Sequence, residues 1–173
     1  MPLLRTLLTA ALVVLAASLQ AGLLSQIAIA GVVPDLVLLV VVAVAFVRGP
    51  SHGAMVGLLA GLTLDLAPPA DHTAGRWALA LVVVGYLAGT VRSSATDSAV
   101  AAVVTVGACA FVGASVFALS GLVLADPGVT VARVLEVLPV QVLYDLAVTV
   151  LVLPPVITLM RRLEPAQERW VHA

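Results

Sequence analysis

Residues 52–65 read HGAMVGLLAGLTLD. They set Gly53, Gly57, Gly61 and Asp65 four residues apart, so all four share one face of a helix. Glycine is the weakest ordinary helix former, roughly 1 kcal/mol below alanine. In water, three of them on one stripe would argue against a helix. In lipid the argument reverses. The tails are as apolar as leucine, so helices associate by close packing, and small residues at i,i+4 let two backbones touch. The meaning of the stretch therefore depends on the solvent.

Composition decides the solvent. The chain has 173 residues, 62% hydrophobic and 10% charged. Soluble domains average about 25% charged residues, and a compact chain of this length leaves much of its surface facing outward. The reading is an all-α polytopic membrane protein. A formal net charge of −1, with no clustered basic face, excludes a nucleic-acid binder. The single cysteine, Cys109, has no partner for an internal disulfide and reads as a small packed residue.

A membrane-crossing helix needs about 20 apolar residues. The apolar runs predict six helices, roughly 5–24, 32–47, 52–67, 76–91, 98–125 and 134–160, with a tail over 161–173. Together they make one integral-membrane domain, residues 1–173. The second and third are short for a span, and the second reaches a usable length only by starting near Val32. Arg5 followed by Leu7–Leu19 resembles a signal peptide. The apolar run continues to Leu24, and a retained first helix is expected. With six spans and the N-terminus inside, Arg5, Arg48, Arg92, Arg161, Arg162 and Arg169 are cytoplasmic, whereas Arg76 and Arg133 are outside. That distribution obeys the positive-inside rule and puts both termini in the cytoplasm.

The loop APPADHTAGR, 67–76, reads as a compact outer turn. Pro68 and Pro69 stop the third helix, Asp71 and Thr73 offer caps to the fourth, and Trp77 suits the interfacial aromatic belt.

No catalytic, cofactor-binding or metal set is predicted. His52, His72 and His172 lie in loops and the tail without Cys or Glu at ligand spacing. The glycines belong to a helix, not to a nucleotide-binding turn. What remains is a few polar groups in lipid, which normally turn inward or reach an interface. Asp35 follows Pro34, and the pair suits a first helical turn and the positive end of its dipole. Asp65 lies at the outer end of the third helix, where the dipole disfavours it. Its expected partners are Thr73, the outer-loop backbone or Arg76. Gln141 and Asp145 share a face of the sixth helix that points into the bundle or toward a partner, the plain alternative being a neutral, hydrogen-bonded acid. Glu136 reaches the headgroups, and Pro139, Pro154 and Pro155 are potential kinks in the same helix. Gly85 and Gly89 match the Gly53/Gly57/Gly61 groove and predict a close crossing of helices three and four.

Residues 34–89 carry a resemblance in their Pro-Asp entry, Arg-Gly turn and glycine-spaced helix closing in Leu-x-Asp, then their Gly-Arg-x-Ala-Leu entry and Gly-Tyr-Leu-x-Gly end. The combination resembles the central part of the rod shape-determining protein MreD family, and the PPADHT loop is similar to actinobacterial members. The resemblance implies a non-enzymatic scaffold in the membrane of rod-shaped cells, without a cofactor. Its implied partners in side-wall peptidoglycan synthesis are MreC first, then MreB, RodA and the penicillin-binding transpeptidase. The family also looks similar in fold to the substrate-binding subunits of energy-coupling-factor transporters, which implies the rival function of a small-solute-binding transporter subunit. No motif beyond Arg92 belongs to the resemblance, so Gln141 and Asp145 gain no role from it. Short loops leave the helical faces as the expected surface for MreC, and intramembrane catalysis lacks a nucleophile or metal to accompany its acid.

Overall fold

A computed structural model of the chain describes residues 2–28, 31–67 and 73–164. Pro68, Pro69, Asp71, His72, His172 and the tail beyond Glu164 lie outside the described residues. Among the described residues, seven helices follow one another: α1 (Pro2–Gly22), α2 (Leu36–Arg48), α3 (Pro50–Leu66), α4 (Arg76–Thr90), α5 (Arg92–Asp97), α6 (Ala99–Val123) and α7 (Val131–Leu163). A 3-10 turn, Leu24–Ile27, follows α1. Among the described residues, three stretches are long and apolar enough to cross a membrane: Leu3–Gly22 within α1, all of α6 and all of α7.

The observed helices correct several expected limits. The second starts at Leu36 rather than Val32. Pro34 disfavours helical geometry in the residue before it, and Asp35 takes the N-cap, its carboxylate accepting from the Leu38 N–H at 2.9 Å. Pro34 therefore precedes the cap and is not in the first turn. At about 1.5 Å per residue, the 13 residues of α2 are shorter than a typical hydrocarbon core, so a crossing there calls for a locally thinned bilayer. The last helix extends beyond its expected 134–160 at both ends, and it continues through Pro139, Pro154 and Pro155. The six-residue α5 was expected as part of a loop.

Helix α2 is rich in valine, whose branched side chain lowers helix propensity. In lipid the backbone has no water to turn to, and a helix satisfies its polar groups internally. Every residue from Leu36 to Phe46 is buried. A helix apolar on all sides belongs at the centre of its bundle, and α1, α3, α4 and α7 enclose α2. The outer faces of the surrounding helices are apolar too: Leu7 and Leu15 on α1, Val104 and Leu119 on α6, and Leu143, Val150 and Leu151 on α7 are all exposed. Exposed apolar surface on this scale marks an interface with lipid or another protein.

Cross-bundle contacts fix the helix directions. Arg48 at the end of α2 donates to Glu164, just past the end of α7, at 2.9 Å, while Asp35 before α2 meets Asp145 of α7. Helices α2 and α7 are therefore parallel. Arg5 near the start of α1 also reaches Glu164, at 3.3 Å, so α1 runs against both. The described chain thus begins and ends at the same, Arg-rich end of the bundle.

Candidate functional site

The α3–α4 seam is built backbone to backbone. A methyl group added at Gly53 would overlap the Gly85 carbonyl, and one at Gly85 would overlap the Gly53 carbonyl. Gly57 lies against the Leu81 carbonyl, Gly61 against the backbone of Ala78, and Gly89 against Pro50. Residue numbers fall on α3 as they rise on α4, so the helices are antiparallel along the whole seam. This face is fully used inside the bundle and offers nothing to a partner.

Asp65 closes the same seam. Its carboxylate accepts from the backbone N–H groups of Gly75 (2.9 Å), Trp77 (3.1 Å) and Ala78 (3.1 Å). It caps the start of α4 from another helix, and the positive end of the α4 dipole answers the unfavourable position on α3. The expected contact to the outer-loop backbone is present. Arg76, offered as an alternative partner, goes elsewhere.

Asp35, Gln141 and Asp145, which sequence reasoning treated as two separate features, form one cluster. The Asp35 N–H donates to Asp145 Oδ1 at 2.6 Å. The Gln141 amide donates to both oxygens of Asp145, at 3.0 and 3.1 Å, and to the Val33 carbonyl at 3.2 Å. Thr149 donates to the Asp145 carbonyl at 2.6 Å. Asp145 ties the entry of α2 to α7, and its side chain faces the interior with 1% residue exposure.

Arg76 is the residue that sequence reasoning misplaced. Read as the end of the outer turn and a possible partner of Asp65, it is 2% exposed and turned toward other groups. Its guanidinium pairs with Asp126 just beyond α6, donates to the Phe117 carbonyl at 2.9 Å and lies 4.0 Å from the centre of the Phe117 ring. The Trp77 ring packs on that of Phe117, their centroids 4.4 Å apart. Gly121 makes room, because a methyl group there would strike the guanidinium. An adjacent arginine and tryptophan give no local sign of this arrangement. The acid and the ring lie far along the chain.

These groups border one cavity of about 270 Å³. Its polar lining comes from Asp35, Arg76, Thr130, Arg133, Gln141 and Asp145, and its apolar wall from Leu38 of α2, Trp77 of α4, α6 (Ala110, Ala114, Phe117, Ala118) and α7 (Val134, Val137, Leu138), with Val129 just before α7. Close-packed interiors rarely hold voids larger than a water molecule. Small alanines on α6 leave the volume open, whereas leucine or valine would fill it. The cavity lies at the end of the bundle where α2, α4 and α7 begin, opposite the Arg5–Glu164–Arg48 cluster. No group of three or more metal-ligating side chains occurs among the described residues.

A helical bundle with an apolar exterior, a buried polar cluster and a cavity at one end is the architecture of an integral membrane protein. The family of the rod shape-determining protein MreD matches residues 2–163, nearly the whole chain, and the chain belongs to that family. The family is a membrane family that acts in rod shape determination, as part of the MreB–MreC–MreD shape complex. No curated relative and no solved structure matches the chain.

Proposed function

We propose that the chain is a non-enzymatic scaffold of the cell-elongation complex, crossing the cytoplasmic membrane six times and holding MreC at its cavity. The single observation behind the choice of surface is the cavity itself. The glycine seam is consumed within the bundle, and the exposed apolar faces of α1, α6 and α7 suit lipid. A concave, largely apolar pocket with a few convergent polar groups is what an anchoring side chain of a partner needs. The Arg-rich end, where the described chain begins and ends, faces the cytoplasm, so the cavity opens on the outer side. Through MreC the scaffold joins MreB, RodA and the penicillin-binding transpeptidase in side-wall peptidoglycan synthesis.

Ala114→Trp fills the cavity without touching the α3–α4 seam. The variant is expected to remain folded and to recover at least about ten-fold less MreC in mild-detergent co-purification. Leu151→Trp, at a position 76% exposed on the outer face of α7, is expected to recover the normal amount. Normal recovery of MreC with folded Ala114→Trp contradicts the proposal.

The same cavity supports a second reading, a small-solute-binding subunit of a transporter, with the Gln141/Asp145 face as its polar site. A saturable thermal shift with one solute, lost in Ala114→Trp while MreC recovery is unchanged, would favour that reading.

A further inference from the structure

The opposite end of the bundle holds a second hollow with a different chemistry. The α2–α3 connection passes through Gly49 at φ 84°, a conformation that side chains avoid, and Pro50 opens α3. Gly89, at the end of α4, lies so close that a methyl group there would overlap the backbone of Gly49 and Pro50. The two connections, α2–α3 and α4–α5, are thereby pinned side by side. Between them is a hollow of about 640 Å³ lined by three basic side chains, Arg48, His52 and Arg92, and by the hydroxyl residues Ser51, Thr90 and Ser93. Among the described residues lining it, none is acidic.

The guanidinium of Arg48 is only partly satisfied. Arg48 Nε donates to Glu164 at 2.9 Å, and Nη1 to Thr9 at 3.4 Å. Nη2 is buried without a hydrogen-bond partner among the described residues. Glu164 is shared with Arg5, so one carboxylate serves two guanidinium groups. An anion with several acceptor oxygens would complete this set by charge-assisted hydrogen bonds.

The surface leading away from the hollow identifies the anion's carrier. The face of α3 that bears His52 continues, three to seven residues on, into Met55, Leu58 and Leu59, which are 59%, 44% and 57% exposed. This is the face opposite the glycine seam. A phosphate held in the hollow would lay acyl chains along that stripe, whereas a soluble anion would leave the stripe unused. We infer that the hollow between the α2–α3 and α4–α5 connections binds the phosphate groups of an anionic phospholipid. Cardiolipin carries two phosphates, one for each of Arg48 and Arg92, whereas phosphatidylglycerol carries one. Basic pockets between helices on the cytoplasmic side are suited to such headgroups. The inference does not depend on MreC or on the cavity at the other end.

The test uses the full chain in mild detergent, with bound lipid counted by native mass spectrometry during titration with cardiolipin, phosphatidylglycerol, phosphatidylcholine or inorganic phosphate. Cardiolipin is expected to bind saturably and phosphatidylcholine not to compete. The double variant Arg92→Gln/His52→Gln is expected to bind cardiolipin at least about five-fold more weakly, the worth of one cation near an anionic lipid surface. Ser51→Glu adds a negative charge at an exposed lining position and is expected to have the same effect. Arg161→Gln, outside the hollow at the same end, is expected to bind normally. Equal binding of phosphatidylcholine, unchanged binding in both folded hollow variants, or an equal loss in Arg161→Gln would overturn the inference. So would inorganic phosphate displacing cardiolipin at equal concentration, which would mark a site for a soluble anion.

Discussion

Gly57→Leu is expected to abolish the compact bundle. A single methyl at this position already overlaps the Leu81 carbonyl, and an isobutyl group has no rotamer that avoids it. Overpacking where side chains can yield costs about 1–3 kcal/mol. Here the obstacle is backbone, so α3 and α4 must separate, and the Gly53–Gly85 and Gly61–Ala78 contacts open with them. The loss should therefore exceed that range. Without a hydrophobic drive between helices in lipid, little else restores the seam. The expected result in mild detergent is aggregated or polydisperse protein on size exclusion, with no cooperative thermal transition. Leu58→Ala, on the lipid-facing side of α3 at 44% exposure, should leave the transition near that of the parent. A monodisperse Gly57→Leu protein with a parental transition would show that the seam does not hold the fold.

Asp126→Ala is expected to be the most damaging removal of a polar side chain. It leaves the Arg76 guanidinium, 2% exposed, without its carboxylate. Breaking a buried ion pair from one side costs about 3–5 kcal/mol, because the remaining charge is stranded. The reverse change is milder. Asp126 is 11% exposed and lies beyond the end of α6, where water can reach it. Arg76→Met should therefore cost less than Asp126→Ala, and the double variant should recover much of the loss. A double-mutant cycle on thermal unfolding measures this coupling. Additive effects of the two substitutions would mean that the pair is not coupled and that Phe117 alone holds the guanidinium.

What was legible in the sequence followed from short spacings. The i,i+4 glycines predicted the α3–α4 crossing because helix geometry alone puts them on one face. Gln141 and Asp145 paired for the same reason, and their hydrogen bonds of 3.0 and 3.1 Å follow that spacing. The dipole argument flagged Asp65 as needing a partner, and the nearby loop contained it. Longer connections were not legible. The Asp35 N–H reaches Asp145 across 110 residues, and Arg76 reaches Asp126 across 50. No periodicity encodes which helices become neighbours. Arg76 read as an outer-turn residue and a possible partner of the nearby Asp65. Only the tertiary placement of Phe117 and Asp126 buries it. The cavity was invisible for a related reason, since Ala110, Ala114 and Ala118 read as ordinary small residues until α7 stands opposite them.

Site-specific photocrosslinking tests most directly whether the cavity is where MreC docks. A photoreactive side chain at Leu138, on the cavity wall, is compared with one at Leu151 on the outer face of α7, in cells producing both proteins. The account predicts an MreC adduct from position 138 and none from position 151. An adduct from 151 alone, or from neither position while the two proteins still co-purify, would contradict it.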